Sequence, residues 1–296
     1  INRLGLDRIG RKNSMNTLKN KIDFAVIVTV DHANPNGDPL NGNRPRTTYA
    51  GNGEISDVCI KRKIRNRLQD MGEKIFVQSN DRCNDGYDSL RARADATITD
   101  YKSTDEYAQK ACKEWIDVRS FGQVFAYKGK AKGEGVSVGV RGPVSIHQAI
   151  SVGPIDVNSM QITKSVSGES GDKKGSDTMG TKHMVDFGLY VIKGSINVQL
   201  AEKTGFTQED AEKIKECLRT LFINDSSSAR PDGSMEVVKV YWWKHNNEIG
   251  QYSSAKVHKS LEISLKDDVA FPASIDDFVI QVNPLEGLEP EIINGI

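Results

Sequence analysis

The sequence predicts an α+β fold, on three observations. Ile22–Asp31 (IDFAVIVTVD) is an almost unbroken β-branched and apolar run of strand length, which suits a central strand covered on at least one face. The segments 56–71 and 207–222 instead repeat apolar residues at helical spacing. Around them lie shorter β-rich runs broken by glycine-rich turns. This gives two βαβ-like units with hairpins elsewhere, and a ferredoxin-like (RRM-like) βαββαβ core with large insertions fits best.

Residues 1–14 precede Met15 and read as vector-derived or translated upstream sequence, leaving 15–296 as one elaborated domain. After the first strand comes loop 32–53, longer than ordinary connections and therefore a candidate for function. It carries Asn34-Pro35-Asn36-Gly37-Asp38-Pro39 and Gly42-Asn43-Arg44-Pro45-Arg46. Asn, Gly and Asp tolerate left-handed backbone, which can turn N–H groups toward an anion. A plain surface turn is the alternative, but Arg44, Arg46 and the basic helix that follows favour phosphate contact.

That helix, SDVCIKRKIRNRLQDM, has Ser56 as its N-cap and Ile60, Ile64, Leu68 and Met71 as one apolar stripe. Lys61 and Arg65 take one flank, Lys63 and Arg67 the other. It reads as a helix docked on a sheet with cations projecting from its edges, the alternative being an ordinary solvated helix.

Residues 72–103 read as a polar insertion, partly helical near Leu90–Ala96, followed by a helix over Thr104–Trp115. Strands are expected at 117–127 and 136–140 around a Lys/Gly turn. Arg141 and Gly142 stand where the second strand breaks, a common place for a functional cation. A short helix or turn is expected at 146–152. Residues 154–186 look like a protruding hairpin arm with a flexible tip at 167–177. Its apolar tips are Met160, Ile162 and Met179, and its polar ones Lys164, Lys182 and His183. An arm that cannot bury both faces on its own body must meet something else.

Further strands are expected at 187–200, 236–243, 257–265 and 278–282, ahead of an acidic, apolar tail. The 207–222 helix has Thr207 and Asp210 placed for a capping box. Trp242 and Trp243 are adjacent on a strand and so face opposite sides, which predicts that only one of them is core.

The chain balances 40 basic against 40 acidic side chains, which excludes a uniformly basic nucleic-acid coat. Any polyanion site must be a local track. Its four cysteines are dispersed without a C-x-x-C pair, as expected of reduced thiols in the cytoplasm. No H-x-x-x-H pair, Walker loop, dinucleotide fingerprint or G-x-S-x-G elbow is present, so neither cofactor nor metal is expected. No apolar run reaches membrane-spanning length. Asp31 and Asp38 could bind a metal in a metal-dependent endoribonuclease, with His183 or His147 as general base in RNA cleavage, but two loop carboxylates are more simply turn formers. Paired RNP aromatics for stacking bases on the sheet are absent. What remains is phosphate binding by cations and loop amides, with apolar arm residues wedging between bases.

The run DFAVIVTVDHANPNGDPLNGNRPR…ISDVCIKRKIRNRL resembles the backbone, guide-RNA-binding subunit of type I CRISPR Cascade effector complexes, subtype I-C. DVRSFGQVF, VRGPVSIHQAISVGPI, DTMGTKHMVDFGLYV and LAEKTGFTQEDAEKI agree with it in the same order, from Ile22 to Trp243. The resemblance implies a hand-like shape: a ferredoxin-like palm, a helical finger insertion at about 72–116 and a β-hairpin thumb at about 154–186. It implies copies stacked head to tail along the crRNA, each thumb displacing a base at intervals, with the guide then pairing to a target DNA strand in broken segments. The other implied partners are a guide-processing cap subunit, large and small subunits and a recruited helicase-nuclease. The processing nuclease is a different subunit, so no catalysis is implied here. Carried over, Asn34, Asn36, Arg44 and Arg46 fall in the loop, Lys61 and Arg65 on the helix flank that meets phosphates, and Arg141 after the palm hairpin. Met160, Ile162, Lys164, Met179 and Lys182 fall on the thumb.

Overall fold

The structure, a computed structural model, describes residues 17–128, 135–164 and 179–296. Residues 1–14 and the arm tip at 167–177 lie outside the described residues. The chain opens with β1 (Ile22–Ala33), then the two-residue ladder β2 (Gly37–Asp38) and β3 (Arg44–Pro45), and β4 (Asn52–Ile55). Helix α1 (Asp57–Asp70) follows, with Ser56 accepting from the Cys59 N–H as its cap. The insertion supplies α2 (Leu90–Thr97), α3 (Thr104–Glu114), α4 (Ile116–Phe121), β5 (Gly122–Tyr127) and β6 (Val136–Arg141). Next come β7 (Val144–Ile146), β8 (Ala149–Pro154), β9 (Val157–Thr163) and the long β10 (Met179–Ile196). Then α5 (Val198–Thr204), α6 (Gln208–Arg219) and β11 (Met235–Lys244) complete the helix side. The chain finishes with α7 (Ser254–Ser260), β12 (Leu261–Leu265), β13 (Phe278–Val282) and β14 (Glu291–Asn294).

The main sheet is antiparallel, in the order β14-β11-β1-β10-β8-β4, with β7 and β9 also paired to β10. β1 is at its centre because both of its faces are apolar. Ile22, Phe24, Val26, Val28 and Val30 enter a core with Ile60, Ile64 and Leu68 of α1 and Ala211, Ile214 and Leu218 of α6. Ala25 and Ile27 enter a second core with Val257, Leu261, Phe278 and Leu288. Each fully buried Val, Ile or Phe contributes about 1.5–3 kcal/mol, so a strand buried twice over anchors both layers. A register shift between Ile27 and Val28 puts one extra residue in β11, which brings Met235, Val237, Val240 and Trp242 onto the helix side together.

Both tryptophans are therefore core, against the expectation of one. Trp242 (2% exposed) stacks on Phe24 at 5.5 Å, and Trp243 (0%) on Tyr241 at 6.0 Å on the opposite face. The alternation holds; the sheet is simply covered on both sides. The tail is likewise no free appendage: β14 pairs with β11, and Lys215 Nζ donates to the Glu291 carboxylate at 2.8 Å.

A third core forms around Phe76, Ala94, Tyr107, Ala111, Trp115, Phe125 and Val138. The β5–β6 hairpin belongs to this core as a separate two-stranded sheet and does not join the main sheet. The strand expected at 117–127 is half helix. The Asp117 carboxylate accepts from the Phe76 and Val77 N–H groups at 2.8 and 3.1 Å, fixing α4, and Gly122 at φ +80° ends it.

Three further expectations change. Residues 146–152 pair as strands β7 and β8 against β10 rather than forming a helix or turn, since β-branched Val144, Ile146 and Ile150 suit a sheet. The strand expected at 187–200 stops at Ile196, where Asn197 accepts from the Leu200 N–H and starts α5. The strand expected at 257–265 begins as α7, capped by Ser253. The α6 capping box is present: Thr207 Oγ1 accepts from the Asp210 N–H at 3.0 Å, and Asp210 accepts from the Thr207 N–H at 2.9 Å. Among the described residues no helix is long and apolar enough to cross a membrane.

Candidate nucleic-acid interface

The loop after β1 is a built object. Asp38 accepts from the Leu40 N–H at 3.1 Å, Gly42 and Asn43 take left-handed backbone (φ +57° and +60°), and the β2–β3 ladder closes the turn. Asn34 is buried; its N–H donates to the Ala229 carbonyl at 2.8 Å and its Nδ2 to the Asn43 carbonyl at 2.7 Å. Asn36 Oδ1 accepts from both the Ser56 N–H and hydroxyl at 2.9 Å. Both asparagines thus hold the loop and the start of α1 in place rather than standing open.

On α1 the expectation of freely projecting cations is corrected. Lys61 pairs with Asp57 at 2.9 Å, and Arg67 with Asp70 at 2.8 Å. Lys63 is buried against Asp225. Arg65 Nε donates to the fully buried Asp117 at 2.9 Å, and its guanidinium lies 5.1 Å over the Phe121 ring. The carboxylates that meet Lys63 and Arg65 come from distant segments, which the helical pattern alone does not reveal. Phe121 adjoins the β6–β7 corner, where a Cβ on Gly142 would stand 2.3 Å from the Ser120 carbonyl oxygen. Gly142 therefore permits a close backbone approach, and Arg141 beside it is exposed, with no ion-pair partner among the described residues.

The arm exists: β9 and the first part of β10 pair as a hairpin from Val157↔Val185 to Thr163↔Met179. Residues directly opposite share a face, so Met160 and Ile162 lie with Lys182 and Gly180, whereas Met179 lies with Thr163, Gln161 and Thr181 on the other side. All three apolar residues are exposed, but they form two faces rather than one tip. Lys164 is exposed just before the tip. At the arm's root Arg44 Nη1 donates to Ser159 Oγ at 2.7 Å and lies 3.3 Å from His183 Nδ1, with Ser159 Oγ and His183 Nδ1 2.8 Å apart. The hydroxyl accepts from arginine and keeps one proton and one lone pair with which to meet the imidazole. Beside them is a cleft of about 220 Å³, lined by Asn34, Asn43, Ile162, Thr181, Lys182, His183, Ser228 and Ala229. Arg46 faces Asp38 at 3.7 Å.

Asn34, Arg44, Ile162, Lys182 and His183 thus gather at one place. Among the described residues no group of three metal-ligating side chains comes together. Asp38 is engaged by Leu40 and Arg46, and Asp31 by His32.

The family described as CRISPR-associated protein Cas7 matches residues 20–283. The chain belongs to the Cas7 family. A CRISPR-associated protein Cas7 of Haloferax volcanii is 26% identical over 287 residues, covering 91% of this chain and 82% of that relative. Among solved structures, a chain of a CRISPR RNA-guided surveillance complex in a pre-nicking state has a similar fold, with a TM-score of 0.50 at 16% identity over 85% of this chain and 84% of that one. A second surveillance-complex chain gives a TM-score of 0.43 at 18% identity over 75% and 68%.

This Cas7-family chain also carries candidate interface features that the sequence pattern does not single out. Ser159 joins Arg44 and His183 only because β9 and β10 pair in this register. Leu40 and Tyr49, each on a tight turn of the loop, are fully exposed at 98% and 110% of their reference areas. The one signal for Tyr49 in the sequence is an aromatic residue placed among turn formers.

Proposed function

We propose that this chain is the guide-RNA-binding backbone subunit of a type I CRISPR Cascade effector complex of subtype I-C, acting in antiviral defence in the cytoplasm. The observation that carries the reading is the thumb-like β9–β10 hairpin growing directly from the central sheet, its root pinned by Arg44 beside a cleft bearing Lys182 and His183. The order β11-β1-β10-β8, with α1 and α6 on one face, supports a ferredoxin-like palm. The other face of that sheet is buried under α7, β12 and β13, so bases cannot stack on it as they do in RRM domains. The crRNA path then runs over the loop, the start of α1 and the thumb root. Arg44, Arg46, Lys61, Arg141, Lys164, Lys182 and His183 meet its sugar–phosphate chain, while Asn34, Asn36, Arg65 and Gly142 hold the shape of the path. Met160, Ile162 and Met179 wedge bases apart.

Copies repeat head to tail along the guide, because a heterologous interface that does not close by rotation propagates until the RNA ends. The guide is thereby presented to a target DNA strand in segments. The chain itself cuts nothing; processing belongs to a cap subunit, and degradation to a recruited helicase-nuclease. Large and small subunits complete the complex.

A filter-binding titration of single-stranded RNA against salt tests this. Arg44→Ala with Lys182→Ala is expected to weaken binding and flatten the log–log salt slope by about 1.4, at about 0.7 for each phosphate no longer neutralised. An unchanged slope counts against the assignment.

A further inference from the structure

We propose that Tyr49 is a base-stacking platform, on which an unpaired nucleobase of the bound RNA lies beside the thumb root. The inference rests on the RNA-binding reading above and adds to it an interaction of another kind, made with a base rather than with a phosphate. Tyr49 stands at the tip of a turn closed by the Thr48 N–H donating to the Asn52 carbonyl at 2.8 Å and the Gly51 N–H to the Thr48 carbonyl at 3.0 Å. Gly51 takes φ +84°, as such a turn requires.

The turn is fastened to the place where β8 passes into β9. The Ile155 N–H donates to the Gly51 carbonyl at 3.1 Å, and Asn52 Nδ2 to the Ser151 carbonyl at 2.9 Å. A rigid support therefore holds a large ring entirely in solvent, at 110% of its reference area, with no aromatic or hydrogen-bonding partner among the described residues. Exposing a tyrosine this way leaves its apolar area in water, an unfavourable state that a stacked base would relieve.

Charge at the arm root points to the occupant. The stretch between Asp38 and Glu54 carries Arg44 and Arg46; Asp38 faces Arg46 at 3.7 Å, while Arg44 stands at the arm root with His183, beside the cleft that Lys182 lines. An exposed ring next to that cationic root complements a polyanion with stacked π faces. The tyrosine ring loses little entropy on docking, and stacking tolerates any base, which suits a subunit that must accept any guide sequence.

The test uses the whole chain with single-stranded RNA oligomers carrying 2-aminopurine at successive positions. Tyr49→Ala is expected to weaken binding by about 5- to 100-fold and to abolish the 2-aminopurine quenching seen at one position, while the salt slope stays as in the unaltered chain because no cation is removed. Tyr49→Phe should restore both. Binding within about two-fold of the unaltered chain, with quenching intact, overturns the proposal. So does a Tyr49→Ala effect confined to the assembly size of RNA-free protein in light scattering, which would assign the ring to a second copy. Failure of the unaltered chain to bind any RNA is a separate result, and it removes the functional reading itself.

Discussion

Arg44 and Ser159 are 115 positions apart in sequence and 2.7 Å apart in space. That one donor ties the glycine-rich loop after β1 to the root of the hairpin arm, with His183 as the third member of the cluster. The loop and the arm are thus one mechanical unit. On the RNA-binding reading proposed above, phosphates drawn to Arg44 would act directly on the arm through this bond.

Arg44→Ala is accordingly expected to loosen the arm locally while leaving global stability almost unchanged. Hydrogen exchange at 157–163 and 179–185 should rise, while the unfolding free energy moves by no more than about 1 kcal/mol, the usual worth of one partly exposed hydrogen bond. Unaltered exchange in the arm would show that the bond does not restrain it.

Arg65 and Lys61 should part company in a stability measurement. Arg65→Ala leaves the buried Asp117 carboxylate without its cation and is expected to cost about 3–5 kcal/mol. Lys61→Ala breaks only a partly exposed i,i+4 pair with Asp57, worth about 0.3–0.5 kcal/mol. Urea unfolding of the two variants reads the difference. Equal losses would mean that Arg65 is not the structural member of the pair.

Gly142 and Gly139 make a similar contrast on one strand end. A Cβ at Gly142 meets the Ser120 carbonyl oxygen at 2.3 Å and the Gly122 nitrogen at 2.5 Å, whereas one at Gly139 meets nothing within 4 Å. Gly142→Ala is expected to destabilise by about 1–3 kcal/mol through forced backbone movement, and Gly139→Ala to be tolerated. Thermal melts of both check it; a neutral Gly142→Ala would show that the corner can spread.

Burial lowers the His258 pKa below its unfolded value of 6.5, with Asp23, His147 and Lys193 as its charged or titratable neighbours and Nε2 on the Gly194 carbonyl at 3.0 Å. The unfolded chain therefore takes up a proton here before the folded chain does. The stability tied to neutral His258 is intact above pH 6.5 and declines as pH falls below it. His258→Gln, which can still donate to Gly194, should flatten that acid-side decline in unfolding curves taken across the range. An identical pH profile would assign the decline to other groups.

Much of this molecule is legible locally. The Ser56 and Thr207 caps, the stripe Ile60–Ile64–Leu68 and the left-handed Gly42–Asn43 turn all depend on residues within a few positions of one another. So does the run of motifs that marks the family. Chain propensity and short-range hydrogen bonding fix such features wherever the segment ends up.

The tertiary structure alone decided which charges are neutralised and which surfaces are closed. Asp117 and Asp225 reach Arg65 and Lys63 from far along the chain, turning part of an apparent cationic flank into internal ion pairs. The C-terminal layer covers the second face of the sheet, making Trp242 and Trp243 both core, and the same packing makes 254–260 a helix. Coulombic neutralisation and burial depend on distance in space rather than along the sequence. A single chain read in order shows which side chains can carry charge or hide from water, and only the folded packing settles which of them do.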